Sequence, residues 1–259
     1  IGSKRALLGH VTGAVAGVLP QGGRVCDLFS GTARVGHALK KQGFQVWSND
    51  YNAYAHALAT AYVQADRERW IDRVETVLVE LRTVTPQAGW FTQAFCQDAR
   101  YFHPDNGARI DAMRDRIEVM GLEPELKAIV LVSLLEAADR VDSTAGVPMA
   151  YMKQWAPRAL TPLELRTPDL VPAVAGGPCR ATQGDAVAMA AHGGEQRWVA
   201  GKRGPGHLDT LLRACHDLHP QPVATDYLAA VQLLKQRHLV CVASLHETAL
   251  QAMLAPQRD

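Results

Sequence analysis

The sequence predicts an α/β fold, a nucleotide-binding core interrupted by a helical segment, on three observations. Gly23-Arg24-Val25-Cys26 and Phe44-Gln45-Val46-Trp47 are short β-prone runs, with a glycine turn and a helix-like stretch between them. The second run ends at Ser48-Asn49-Asp50, so an acid stands at a strand tip. From residue 61 to residue 165, apolar side chains recur mostly at helical spacing.

In chain order, the first run leads into Asp27-Leu28-Phe29-Ser30-Gly31-Thr32-Ala33-Arg34-Val35-Gly36, where Phe29-Ser30-Gly31 makes a tight turn. Ala38-Leu39-Lys40-Lys41 reads as the start of a helix, and a further glycine precedes the second run. Strand, glycine turn, helix, strand and acid is the layout of a nucleotide-binding βαβ unit. The glycine lets backbone approach a ligand closely. Asp50 is placed to accept hydrogen bonds from a ribose diol. The loop is not the three-glycine pyrophosphate cradle, which favours a ligand without a pyrophosphate.

Residues 1–60 are thus read as the first part of the core. From about Ala53 to Leu81 the pattern turns helical, through Leu58, Ala61, Tyr62 and Ala65, then Ile71, Val74, Val77 and Leu78. Pro86 to Trp90 punctuates the region. Ile110, Met113, Ile117 and Met120 mark another helix that ends at Gly121. Pro124 opens the most apolar helix, whose Leu126, Ile129, Val130, Val132, Leu134 and Leu135 are expected to be buried on several sides. Ala145-Gly146-Val147-Pro148 ends it. Arg109, Arg114 and Arg116 alternate with Asp111, Asp115 and Glu118, which reads as a solvated face. The predicted organisation is 1–60, a helical insert over 61–165, and 166–259 as the second part of the core with an atypical tail from about residue 192.

At the glycine turn the sequence resembles the DNA adenine methylase family, the Dam-like adenine-specific DNA methyltransferases. The family's loop Asp-x-Phe-x-Gly-x-Gly is matched by Asp27, Phe29 and Gly31, with Ala33 where the last glycine stands. Ile1-Gly2-Ser3-Lys4 is similar to the family's N-terminal Gly-x-Lys segment, and Ala181-Thr182-Gln183-Gly184-Asp185 to a later segment whose acid contacts the cofactor adenine. The resemblance covers roughly the first 190 residues. It implies a Rossmann-like S-adenosylmethionine-dependent methyltransferase core with an inserted helical domain. The implied cofactor residues are Lys4, Asp27, Phe29, Gly31, Asp50 and Asp185. For Lys4 the residue-level reading alone leaves a surface lysine at a frayed terminus equally open.

The resemblance also implies duplex DNA as partner, recognised by the helical insert, and allows a companion restriction endonuclease. Tyr101-Phe102 with Asn106-Gly107 and Asp111 is similar to the family's aromatic-asparagine segment. Leu134 to Val141, followed by Gly146-Val147, looks like the stretch after its long helix. Lys153, Trp155 and Arg158, beside Tyr151, then place cations among aromatics. That mixture suits phosphate contact and base stacking. An inward-packed helix end is the equal alternative.

One part of the chemistry is missing. The exocyclic amine of adenine is a poor nucleophile because its lone pair is delocalised into the ring. The family answers with Asp/Asn-Pro-Pro-Tyr/Phe, whose acid and proline carbonyl accept from the amine while the aromatic stacks on the flipped base. This chain has no Pro-Pro dipeptide, and Asp185 is followed by Ala186-Val187-Ala188-Met189-Ala190-Ala191-His192. No catalytic residue is assigned. Six of the ten histidines lie from His192 onward. That shift is consistent with a frameshifted or rearranged tail, or with a fusion. Asp226-Tyr227 is the nearest acid-aromatic pair and reads as a helix start. His207, His216 and His219 lack a paired carboxylate at helical spacing, so no metal site is expected. Lys202-Arg203-Gly204-Pro205-Gly206 reads as a basic loop, and Leu239 to Ala243 as a buried strand. Three readings therefore stay open: the first is an adenine methyltransferase, with full or impaired transfer, and the second is a degenerate inactive homologue that binds the cofactor, with or without DNA. The third is an unrelated α/β enzyme on another nucleotide.

Composition sets outer limits. The 259 residues suffice for one or two domains. A net charge of +1 supplies no global field toward nucleic acid, so any DNA contact needs a local patch. The five cysteines are scattered, which argues against a zinc site or disulfide framework and suits a reducing cytoplasm. No run reaches the ~18 apolar residues of a membrane span. The abrupt start at Ile1 suggests that the native N-terminus is missing.

Overall fold

The computed structural model describes residues 8–144, 151–186 and 189. They divide into two units, one of residues 66–170 and one of residues 8–65 with the described residues from Val171 to 189. Lys4, Gly146, Val147 and everything read above from His192 to the C-terminus lie outside the described residues.

The α/β unit opens with α1 (Leu8–Val18), followed by β1 (Arg24–Asp27), α2 (Arg34–Lys41), β2 (Gln45–Asp50) and α3 (Ala53–Ala59), then β3 (Arg180–Gln183). The three strands are parallel in the order β1-β2-β3. Val25 lies opposite Val46, and Trp47 opposite Arg180. Parallel strands need long crossovers, here α2 between β1 and β2. Val15, Leu19, Val25, Val35, Leu39, Phe44, Val46 and Val63 form the core of this unit.

α2 starts four residues before the position read from sequence, so Ala38 to Lys41 close the helix instead of opening it. The lysines in its last turn suit the negative end of the helix dipole. Gly36 lets α2 lie close on β2. A Cβ there would meet Ser48 Oγ at 2.7 Å and Val63 Cγ2 at 2.9 Å. The Lys40 side chain is buried, and its Nζ donates to the Ala65 carbonyl at 2.6 Å. That bond supplies an acceptor to a charge that burial would otherwise penalise.

The single helical stretch expected over Ala53–Leu81 is two helices. α3 runs into a π-helical turn, Thr60–Gln64, and stops at Ala65. α4 (Arg67–Arg82) begins anew in the other unit, where the Asp66 carboxylate accepts from Glu68 N–H at 3.1 Å as an N-cap.

In the helical unit α4 is followed by α5 (Trp90–Thr92), which continues into a π-helical turn, Gln93–Gln97, then by α6 (Pro104–Val119) and α7 (Pro124–Arg140). α6 and α7 both carry proline in the first turn, where its missing N–H costs nothing. Ile110, Met113 and Ile117 are buried on α6, and Gly121 stops the helix with φ +60°. On α7 Leu126, Ile129, Val130, Val132 and Leu134 are buried, but Leu135 is 48% exposed. It falls outside the stripe that Leu126, Ile129, Val130, Ser133, Leu134 and Ala137 trace around the helix.

Arg114 and Arg116 do stand on an exposed face, beside Glu118 and Glu80. Asp111 does not belong with them. Its carboxylate accepts from the backbone N–H groups of Gly89 (2.8 Å), Phe91 (3.0 Å) and Thr92 (2.8 Å) and from the Thr92 hydroxyl (2.6 Å). It thereby caps the short helix α5. Among the described residues no helix is long and apolar enough to cross a membrane, and no three His, Cys, Asp or Glu side chains are grouped to hold a metal ion.

Partial burial pushes the Asp111 carboxyl up, but the four hydrogen bonds from Thr92, Gly89 and Phe91 outweigh it and hold the group below its usual range. A carboxylate with a depressed folded-state pKa stabilises the fold fully above its unfolded value of about 4. That stability is lost as pH falls through the folded value. Asp111→Ala is therefore expected to cost about 1–3 kcal/mol at neutral pH. In urea titrations the difference from wild type should shrink as pH is lowered through the acid range. A pH-independent difference would contradict the cap.

Candidate functional site

The chain reverses after β1 through a turn closed by Ala33 N–H donating to the Ser30 carbonyl at 2.8 Å. Gly31 has φ +50°, and Ala33 has φ +57°. For alanine this left-handed conformation costs about 1–2 kcal/mol. Its methyl group is fully buried, which returns about 0.8 kcal/mol. Burial recovers only part of that cost, so alanine stands here, where the related loops carry glycine, at a small net penalty.

Asp50, at the end of β2, reaches back to this turn. Its Oδ2 accepts from Gly31 N–H at 2.8 Å and its Oδ1 from Asn52 N–H at 2.9 Å. Each oxygen keeps acceptor capacity, since a carboxylate offers about four lone-pair sites. The side chain is 6% exposed. Within the turn, Ser30 N–H donates to the Asn49 carbonyl at 2.9 Å. Ser30 Oγ is buried and has no hydrogen-bond partner among the described residues.

The third strand is tied to the same place. Gly184 N–H donates to the Asp50 carbonyl at 3.0 Å. Asn49 Nδ2 donates to the carbonyls of Leu28 (3.3 Å) and Gly184 (3.0 Å). Asp27 is fully buried at the end of β1, Phe29 is half-buried in the turn, and Asp185 is exposed just after β3. Asp27, Phe29, Gly31, Asp50 and Asp185 therefore gather at the carboxyl ends of three parallel strands. That end of an open α/β sheet is where such folds bind ligands. Sequence reasoning quoted Ser30, Asn49 and Thr182 in these segments but gave none of them a role at this end. Thr182 lies inside the matched segment, but Asn49 sits within a strand and carries no local signal.

Lys153, Trp155 and Arg158 lie in the helical unit. The Arg158 guanidinium donates to the Asp142 carboxylate (2.7 Å) and to the carbonyls of Asp142 (2.9 Å) and Thr144 (3.1 Å). Trp155 has the Arg100 guanidinium 4.5 Å from its ring centroid and His103 edge-on at 5.3 Å. Lys153 is exposed, and its carbonyl accepts from Arg100 at 2.7 Å. Trp90, 74% exposed, stands at the start of α5, where Asp111 holds the turn. Phe95 meets it edge-on at 5.7 Å and Tyr101 meets Tyr151 at 5.2 Å.

Strand, turn, helix, strand and acid, closed by a third parallel strand, is the layout of a nucleotide-binding α/β unit. The chain belongs to the D12 class N6 adenine-specific DNA methyltransferase family, whose pattern matches residues 1–175. It is 34% identical over 148 residues to the type II methyltransferase M.NlaIII of Neisseria lactamica, covering 54% of this chain and 44% of that protein. It is 28% identical over 185 residues to the modification methylase LlaI of Lactococcus lactis subsp. lactis, covering 64% of this chain and 30% of the relative. It is 30% identical over 188 residues to the type II methyltransferase M.FokI of Planomicrobium okeanokoites, covering 66% and 29%. The chain thus spans less than half the length of these relatives. No solved structure matches it. The family implies an S-adenosylmethionine-dependent methyltransferase fold and S-adenosylmethionine as methyl donor.

Asp50→Ala removes a buried charged acceptor and the anchor of Gly31. It is expected to weaken S-adenosylmethionine binding by about 1–3 kcal/mol in calorimetry on the folded variant. Unchanged affinity would rule out a ribose contact for Asp50.

Proposed function

We propose that this chain is an adenine-specific DNA methyltransferase polypeptide with an intact cofactor crevice and impaired methyl transfer. The observation that carries the reading is the union of Gly31, Asp50 and Gly184 at one strand end, in a chain of this family. Bound there, S-adenosylmethionine would supply an electrophilic methyl group on its sulfonium. The Asp50 oxygens would accept the ribose hydroxyls, Asp185 would meet the adenine, and the loop from Asp27 through Phe29 and Gly31 would shape the methionine end. The orphaned Ser30 hydroxyl fits a pocket that expects one more polar partner. Lys4 is assigned to the same cofactor by family likeness alone.

Residues 66–170 are proposed as the inserted helical domain that meets duplex DNA, through Lys153, Trp155 and Arg158. Arg100 stacked on Trp155 and the exposed Trp90 support this reading, since cations among aromatics suit phosphate and base contact. The relatives' names include two type II methyltransferases and a modification methylase. A companion restriction endonuclease and work in the cytoplasm belong to the same proposal. The impairment rests on the sequence, which has no Pro-Pro dipeptide and so no acid-Pro-Pro-aromatic group to accept from the adenine amine. Activation needs acceptors aligned within hydrogen-bond reach of that amine. A flipped base without a stacking aromatic also forgoes about 1–3 kcal/mol.

Incubation with tritiated S-adenosylmethionine and mixed-sequence duplex DNA tests the function. Cofactor binding with little or no labelling of adenine is the expected result. Multiple-turnover labelling would show that another group supplies the acceptors, and no cofactor binding would overturn the whole reading.

Lys153→Ala tests the DNA surface more cleanly than Arg158→Ala, because Arg158 also holds Asp142. It should weaken binding alike on all sequences and reduce the slope of log affinity against log salt by about 0.9. An unchanged slope would move the DNA contact elsewhere.

A further inference from the structure

Asn49 is 1% exposed, and its side-chain amide and its carbonyl are all paired across the strand ends. Its two amide hydrogens go to two different loops, one to the Leu28 carbonyl and one to the Gly184 carbonyl. Its Oδ1 accepts from the Thr182 hydroxyl at 2.9 Å. Its own carbonyl accepts from Ser30 N–H. The orientation of the amide is fixed from outside. Trp47 Nε1 can only donate, and it donates to Thr182 Oγ1 at 3.0 Å. The hydroxyl proton of Thr182 has its nearest acceptor in Asn49 Oδ1 at 2.9 Å, with the Ser48 carbonyl farther away at 3.5 Å. The Leu28 and Gly184 carbonyls can only accept, so they set Asn49 Nδ2 toward them.

Leu28 precedes Phe29 and Gly31, and Gly184 precedes Asp185. The two carbonyls that Asn49 bridges therefore belong to the two loops assigned to opposite ends of the cofactor. We propose that Asn49 is a positioning residue that sets the separation of these loops, so that one nucleoside ligand can reach both. It makes no claim on the ligand itself. Without its amide, the Leu28 and Gly184 carbonyls lose this shared donor, and the two loops are joined through β2 only by Asp50 and by the strand's own carbonyls. Sites of this kind lose function when the supporting shell loosens by about 1 Å. The inference rests on the reading of this crevice as the S-adenosylmethionine site.

The test is calorimetric titration of S-adenosylmethionine into the full chain and four variants, each shown to be folded by circular dichroism at the temperature used. Asn49→Ala is expected to weaken binding by about tenfold. Thr182→Val, which keeps shape but frees the amide, should weaken it by about threefold, and Thr182→Ser should bind as wild type does. Leu39→Ala, a core truncation away from the strand ends, should lower the melting temperature without changing affinity. If Asn49→Ala does not fold, the Thr182 pair decides. Affinities of Asn49→Ala and Thr182→Val within about twofold of wild type would overturn the proposal. So would an equal loss in Leu39→Ala, which would mark general loosening. A wild-type chain that binds no S-adenosylmethionine would remove the crevice reading and this role with it. Wild-type binding with unchanged variants would remove only the role of Asn49.

Discussion

The carboxyl end of β2 is the constraint on which the α/β unit depends. Two adjacent residues there, Asn49 and Asp50, hold the loops that follow both neighbouring strands. A parallel sheet leaves the loops at its strand ends without ladder partners, so each needs an acceptor or donor from elsewhere. Here β2 supplies them from its side chains and from its own carbonyls. The remaining architecture keeps β2 in the middle. Gly36 lets α2 lie against it, and Lys40 ties the end of α2 to the close of α3. The turn after β1 is then narrow enough to need a left-handed residue at Ala33.

The helical unit is organised by a different interaction. Asp111 gathers the start of α5 and holds the turn that presents Trp90. Asn106 does the same for the chain after the 3-10 turn Pro157–Leu160, donating to the carbonyls of Ala159 and Thr161 and accepting from Leu163 N–H. Both are buried or half-buried polar side chains on α6 whose hydrogen bonds replace ladder partners in irregular chain. Such segments remain ordered because their backbone groups are paired.

Much of this was legible in the sequence where the signals are local. The two strands, the glycine turn and the terminal acid follow from patterns a few residues long, whereas the bond from Gly31 N–H to Asp50 appears only in the structure. The start of α2 was not legible because Ala33 stands where a Ser, Thr, Asp or Asn cap would have announced the helix. The break at Ala65 has only Asp66 to mark it, since the π-helical turn carries the apolar spacing up to the last residue. Asp111 looked like one charge in an alternating series because its partners lie 19 to 22 residues away. Asn49 was invisible for a stronger reason. One of its partners lies 135 residues along the chain, on a strand that reaches β2 only after the whole helical unit. Leu135 was overcounted because apolarity alone does not fix which way round a helix a residue faces.

The central proposal is that the strand ends around Asp50 hold S-adenosylmethionine. Ultraviolet cross-linking of tritiated S-adenosylmethionine to the full chain, followed by tryptic mapping, tests it most directly. The account predicts label in the peptides spanning residues 25–34, 42–67 or 181–197, which carry the three strand ends, with competition by unlabelled cofactor. Label confined to peptides of the helical unit, or label that unlabelled cofactor does not displace, would contradict it.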